Sequence, residues 1–372
     1  MKFGVFYVLE CPDHDFRRAY REMLSQVSYA EELGFDEVWL AEHHGSDYGS
    51  MPSPQVAAAA IAERTRRIRI GIAVSNLTFA WPVRVAEDYA MVDVLSGGRL
   101  DFGAGRGYQP AEFRNMSVAD QQDVSREVFA EAMEIIRGLW SRPAAEPFSY
   151  HGRHFTIDGV ECRPTPVQRP TPPMYVASIS PQTFELAASQ GYNLLITPML
   201  VTLPELNQLV VDIKRKLIAT GRDPLSLDFP MNWQIHLADS TDEALATAAE
   251  PLAWHYRRVL RLVPRGPDAP RGYERYAELA AATEEAGGPT LDGLRESGAV
   301  YVGDPAGLAA EIETLRQETG LQHLICWMRF GGLAHEKVLR SLELLAREVM
   351  PRFRGLPPLV PRALRDEVAA TC

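Results

Sequence analysis

Cysteine is scarce in this chain of 372 residues: Cys11, Cys162, Cys326 and Cys372 stand far apart with no C-x-x-C pair. That spacing gives no support to a disulfide framework or a zinc site, so reduced thiols are expected. Basic charge is also in deficit, with 38 Lys and Arg against 49 Asp and Glu and a net charge of -11. A deficit of that sign argues against nucleic acid or an anionic membrane as partner. No apolar run approaches the roughly 20 residues that span a bilayer. The opening Met1-Lys2-Phe3-Gly4-Val5-Phe6-Tyr7-Val8 reads as a strand, not as a charged-then-apolar leader, and no small-residue cleavage site precedes Pro12. A cytoplasmic enzyme is therefore expected. Internal repeats, heptads and low-complexity tracts are absent, and the proline-containing end Gly355 to Pro361 is expected to be a surface strap.

What is present is a hydrophobic content of 46%, enough to bury a full core in one domain. Apolar runs alternate with helix-length segments nearly to the end, the pattern of a parallel α/β fold. Eight strands are expected, near Lys2 to Val8, Glu37 to Ala41, Ile68 to Ala73, Leu100 to Ala104, Met174 to Ala177, Asn193 to Ile196, Leu227 to Leu237 and His323 to Met328. Helices are expected between them, with Gly34, Gly191 and Gly221 where C-caps belong. The expected architecture is one (β/α)8 TIM barrel with insertions over residues 1–372. Two segments exceed what the barrel needs. Residues 148–168 read as an extra hairpin, and residues 264–298, rich in Gly, Pro and charge, read as a long loop of the kind that forms lids.

The run Trp39-Leu40-Ala41-Glu42-His43-His44 ends a buried strand in an acid and two imidazoles. Strand ends facing the loops are where barrels keep catalytic groups. Adjacent residues on a strand point to opposite faces, which disfavours a shared metal at His43 and His44. The same parity speaks against a metal at His151 and His154, so no metal is expected. Hydrogen-bonded rim residues without catalytic duty are the alternative reading of the His pair.

Gly103-Ala104-Gly105-Arg106-Gly107 resembles a dinucleotide fingerprint superficially. Tyr108 occupies the place of the third glycine and no helix starts immediately, so a nicotinamide site is poorly supported. The glycines suit close backbone approach to a flat ring, and Arg106 offers a fork of donors for an anion. Ser178-Ile179-Ser180-Pro181-Gln182-Thr183 reads as a helix start, with Ser180 as N-cap and Pro181 as first helical residue. Its free amides and the Ser180 and Thr183 hydroxyls can hold a dianion, and a plain helix cap is the alternative. Tyr7, Tyr48, Phe79, Trp81, Tyr108 and Trp233 fall at the expected mouth and would suit an apolar or aromatic substrate. Core packing is the alternative for these aromatics.

Taken in order, Met1 to Phe6, Gly34 to His44, Trp81 to Asp88, Ser96 to Gly107, Tyr301 to Pro305, Phe330 to Gly332 and Arg340 to Glu343 resemble bacterial luciferase and the wider luciferase-like flavin monooxygenases. The resemblance spans nearly the whole chain. It implies a monooxygenase that takes reduced FMN from a separate reductase and oxygenates a small organic substrate with O2 through a flavin hydroperoxide. His43 matches the family's catalytic histidine and would be general acid or base, with Glu42 and His44 orienting it or bordering the substrate. The isoalloxazine would lie against Ala73, Val74, Gly105 and Ala177, with the Ala73–Val74 peptide cis. The phosphate would meet Arg106, the Ile179 amide, Ser180 and Thr183.

The resemblance further implies a mobile active-site loop at residues 264–298. It also implies a homodimer, for which Val56 to Ala62 offers a small-residue helix face, although that face could equally pack on its own barrel. Gly105 stands where luciferase has a cysteine and Trp81 where it has a histidine, which speaks against long-chain-aldehyde bioluminescence; Ile179 stands where luciferase has a glutamate, so only its backbone amide is carried over. A deazaflavin-dependent dehydrogenase on the same fold is the alternative enzyme, and a flavin binder without turnover is the alternative outside catalysis.

Overall fold

Buried parallel strands carry continuous apolar runs because both their faces are covered, and those runs become the strands of the computed structural model of the chain. It describes residues 1–177, 189–199, 201–264, 269, 273–285 and 287–369, with 275 and 279 by backbone alone. The strands are β1 (Lys2–Tyr7), β2 (Glu37–Leu40), β3 (Arg69–Ile72), β4 (Ser75–Asn76), β5 (Leu100–Gly105), β6 (Phe148–His151), β7 (Thr156–Val160), β8 (Met174–Ala177), β9 (Asn193–Leu195), β10 (Met231–Leu237), β11 (Val300–Gly303) and β12 (His323–Trp327). One curled, parallel sheet runs in the order β11-β10-β12-β1-β2-β3-β5-β8-β9, with β4 also paired to β5. Beyond β9, Ile196 bridges in parallel to Met231 of β10. Antiparallel β6 and β7 form a separate hairpin.

Local chemistry sets the helices between strands. Phe16–Leu33 starts where the Asp15 carboxylate accepts the Arg18 amide, and it stops at Gly34, whose φ of 88° is left-handed and costs glycine little. The helix Pro54–Arg64 turns Ala57, Ala58, Ile61 and Ala62 inward to this chain's own core. The short Cβ atoms of Ala57, Ala58 and Ala62 let the helix sit close to the sheet beneath it, whereas Ala60 is exposed.

Several expectations are corrected. The strand expected from Leu227 begins only at Met231, since Pro230 has no N–H to give a ladder. Strand β11 and the helix Pro305–Thr319 occupy a stretch assigned no element, although Asp304 capping Gly307 and Pro305 at the first position are a legible start. A short helix, Pro110–Asn115, follows Tyr108 by two residues. Segment 264–298 is not a bare loop: it holds the helices Glu274–Glu285 and Leu291–Glu296. Alanine at 277 and 280–282 favours the first, and Thr290 caps the second through the Gly293 amide.

The strand starts share a buried charge network. His323 on β12 lies 2.5 Å from Glu37 on β2 and 2.9 Å from Asp228. Lys2 on β1 reaches both carboxylates at 3.7 and 3.6 Å. Burial alone would lower the His323 pKa, but the Glu37 and Asp228 carboxylates outweigh it and raise it to about 10. Among the described residues no helix is long and apolar enough to cross a membrane.

Candidate active site

Opposite that network, the strand ends open into a cavity of about 780 Å³, within the range of small-molecule sites. Its walls come from what each strand presents at its end: Phe6 and Val8 at β1, Glu42 and His43 after β2, Ala73 and Val74 after β3, Gly105 to Tyr108 at the end of β5, and Ala177 as the last residue of β8. The Ala73–Val74 peptide is cis. Gly105 has no room for a side chain, because a Cβ would lie 2.4 Å from the Val74 Cγ2.

His43 is buried, and its Nδ1 lies 2.9 Å from Glu112 Oε1. A carboxylate oxygen accepts from an imidazole N–H, so Nδ1 is the donor in this contact and Nε2 takes no part in it. The same Glu112 oxygen accepts the His44 amide at 2.9 Å. Gln109 donates its amide to the Tyr108 hydroxyl at 3.3 Å. Rings of Tyr48 and Tyr108 meet the imidazole edge-on.

Glu42 is spoken for by its neighbours. One oxygen takes His44 Nε2 at 3.0 Å, and the other takes the Ser75 hydroxyl and the Asn76 amide at 3.2 and 3.1 Å. The hydrogen bond to Glu42 raises the pKa of His44 against the opposing effect of burial. These contacts tie the end of β2 to β4 and fix the direction in which His43 leaves the strand.

Arg106 presents the cation of the site. Its carbonyl accepts the Thr78 hydroxyl at 2.7 Å, its guanidinium lies 4.9 Å over the Tyr273 ring, and its Nη1 is buried with no hydrogen-bond partner among the described residues. Arg126 lines the same cavity. No group of three His, Cys, Asp or Glu among the described residues is placed to hold a metal.

The structure thus brings together Glu42, His43, Tyr48, Ala73, Val74, Gly105, Arg106, Tyr108 and Ala177, with His44 bonded alongside. Four expected aromatics lie elsewhere. Tyr7 and Trp233 alternate with Phe6, Val8 and Asn232, which line the cavity, and pleat parity sends them to the other face. Trp233 donates to the Gly298 carbonyl instead. Phe79 packs on His44 and Phe113, and Trp81 is 51% exposed against Phe155. Ile179, Ser180 and Thr183 lie outside the described residues.

Glu112, Gln109, Arg126, Tyr273 and Tyr276 were not singled out from sequence. Glu112 had a faint signal as an acid in the first turn of a helix. The two tyrosines had only their i, i+3 spacing.

Comparison with known proteins agrees with this architecture. The model of the luciferase-like monooxygenase family matches residues 1–323. The oxygenase component of the flavin-dependent trigonelline monooxygenase of Acinetobacter baylyi is 26% identical over 363 residues, 95% of this chain and 96% of that one. Among solved structures, monooxygenase RslO1 from Streptomyces bottropensis superposes with a TM-score of 0.77 at 27% identity, over 95% of this chain and 100% of the other. The FMN complex of the oxygenating constituent of 3,6-diketocamphane monooxygenase from Pseudomonas putida, at 19% identity, shares the fold with a TM-score of 0.75 over 97% and 99% of the two chains. The chain belongs to the luciferase-like monooxygenase family.

Proposed function

We propose that this chain is the oxygenase of a two-component flavin monooxygenase, taking reduced FMN from a separate reductase and using O2 to oxygenate a small organic molecule. The observation that carries the reading is Arg106, whose buried Nη1 has no partner among the described residues at the edge of a cavity floored by small residues. A cationic donor left without an acceptor costs more than a neutral one, and a phosphate oxygen would accept a charge-assisted hydrogen bond from it. Arg126 adds a second positive charge. The Ser180 and Thr183 hydroxyls and the Ile179 amide complete the phosphate site in this reading.

Ala73, Val74, Gly105 and Ala177 leave room for a flat ring at the strand ends. Reduced flavin, when bound there, supplies the electrons that activate O2. His43, oriented by Glu112, takes or gives a proton at Nε2. Tyr273 and Tyr276 cover the mouth and help to keep water out. The bridge between Ile196 and Met231 supports closure of β1, β2, β3, β5, β8, β9, β10 and β12 into an eight-stranded barrel.

Arg106→Ala is expected to weaken FMN binding by about 1.5 to 3 kcal/mol, the scale of a lost charge-assisted contact, and to leave riboflavin binding nearly unchanged. Equal losses for both ligands in calorimetry would remove Arg106 from the phosphate site. Anaerobic titration with reduced FMN and with reduced deazaflavin, followed by O2, tests the wider reading. Binding of reduced FMN and O2-dependent product are expected; turnover with deazaflavin in the absence of O2 would overturn it.

A homodimer is part of this reading. Val56 on one helix is 68% exposed, and Met91, Val94 and Leu95 on the neighbouring Pro82–Ser96 helix are 44 to 49% exposed. Apolar side chains grouped this way suit a self-complementary face. Met91→Glu with Leu95→Lys should turn a dimer into a monomer by light scattering, and a monomeric parent protein would refute the assignment.

A further inference from the structure

We propose that Tyr273, in the insertion 264–298, is a positioning residue for Arg106 and so makes that insertion part of the phosphate site, a proposal that rests on the flavin reading above. Tyr273 is buried, 1% exposed, although the stretch around it is rich in Gly, Pro and charge. Its ring lies 4.9 Å under the Arg106 guanidinium, within the distance at which a cation is attracted by a ring face. Its hydroxyl donates to the Gly107 carbonyl at 2.7 Å and stands 3.1 Å from the Ser125 hydroxyl. Since the phenol proton goes to Gly107, Ser125 is the donor in the second contact.

These contacts hold both parts of Arg106. Thr78 grips its carbonyl at 2.7 Å, and Tyr273 grips the next carbonyl along the chain, so the backbone is pinned on either side of the Arg106–Gly107 link. The ring then removes freedom from a side chain that otherwise loses much rotamer entropy when it binds. What is left is an Nη1 without a partner among the described residues, on a guanidinium that is already oriented. Ser125 precedes Arg126 on its helix, so the same hydroxyl contact sets the second cavity-lining cation beside the first. Tyr276, one helical turn on, stacks on Tyr108 at 5.4 Å, which seats the insertion on the same loop.

The test is the ratio of FMN to riboflavin dissociation constants, read by flavin fluorescence for the parent protein, Tyr273→Phe, Tyr273→Leu, Arg106→Ala and the double variant Arg106→Ala/Tyr273→Leu. Tyr273→Leu should weaken FMN about tenfold, as for a charge-assisted contact held less well, with riboflavin unchanged. Tyr273→Phe keeps the ring, and with it the fold of the loop, and should lose less. In the Arg106→Ala background the Tyr273→Leu change should have no further selective effect, because a residue acting through Arg106 has nothing left to act on. Equal loss for FMN and riboflavin, or the same selective loss without Arg106, would overturn the proposal. If Arg106→Ala is selective and Tyr273→Leu is not, only this proposal falls. If Arg106→Ala is itself not selective, the phosphate reading falls and takes the proposal with it.

Discussion

Replacing His43 by alanine is expected to lower turnover at saturating substrate about a hundredfold or more, the scale of a lost general acid or base, with FMN affinity and folding nearly unchanged. The imidazole is held at Nδ1 by Glu112, so its loss removes a proton acceptor without opening the sheet beneath it. Glu112→Gln should give a smaller loss. The glutamine oxygen can stand in for Glu112 Oε1, which alone accepts from both His43 Nδ1 and the His44 amide, but it carries no negative charge, so a protonated imidazole would be less stabilised. The pH profile of turnover should then shift in Glu112→Gln and not merely fall. Unchanged turnover in His43→Ala would remove His43 from the chemistry, and a Glu112→Gln profile parallel to the parent would reduce Glu112 to packing.

The second large effect is expected at the other end of the strands. His323→Gln should destabilise the protein by about 3 to 5 kcal/mol, because removing one member of a buried ion cluster leaves the rest uncompensated. Glu37 and Asp228 would then face each other with the half-exposed Lys2 as the cation that reaches both. The pH dependence has a definite sign. The folded-state pKa of His323 is raised from 6.5 to about 10, so its stabilisation is complete below about pH 6.5 and is lost as pH rises through about 10. Asp228 behaves oppositely: burial works against its charge, but His323 and Lys2 prevail and lower its pKa from 3.8 to about 2. Its contribution is present above the unfolded value and is lost as pH falls through about 2. Urea melts of parent and variant at pH 6 should therefore show the gap near its widest, and a difference below about 1 kcal/mol, the scale of an exposed pair, would show that the network is not stabilising the strand starts.

The helix–strand alternation was legible because its cause is local. Strands covered on both faces become continuous apolar runs, and caps such as Asp15 and Gly34 mark helix ends by the hydrogen bonds their own atoms make. His43 was legible for a related reason, since an acid and two imidazoles at the end of such a run stand out against their surroundings. Arg106 stood out as a cation among glycines. The insertion was legible as an insertion but not as structure, because its Gly and Pro signals masked an alanine-rich helix.

The partners of these residues could not be read in the same way. Glu112 lies 69 positions from His43, and Tyr273 lies 166 from Gly107, and no periodicity or cap spans such gaps. Pleat alternation was also visible without revealing its phase. Tyr7 and Trp233 had to face opposite to their neighbours, but whether Phe6 or Tyr7, Asn232 or Trp233, met the cavity was set by the parallel register of β1 and β10 with β12. By itself the sequence determined an α/β fold with chemistry at the strand ends, because apolar period, caps and turn residues act within a few positions. Only the tertiary structure decided which carboxylate orients His43, which ring holds Arg106 and which aromatics face the cavity, because those depend on how distant strands stack and where their ends arrive.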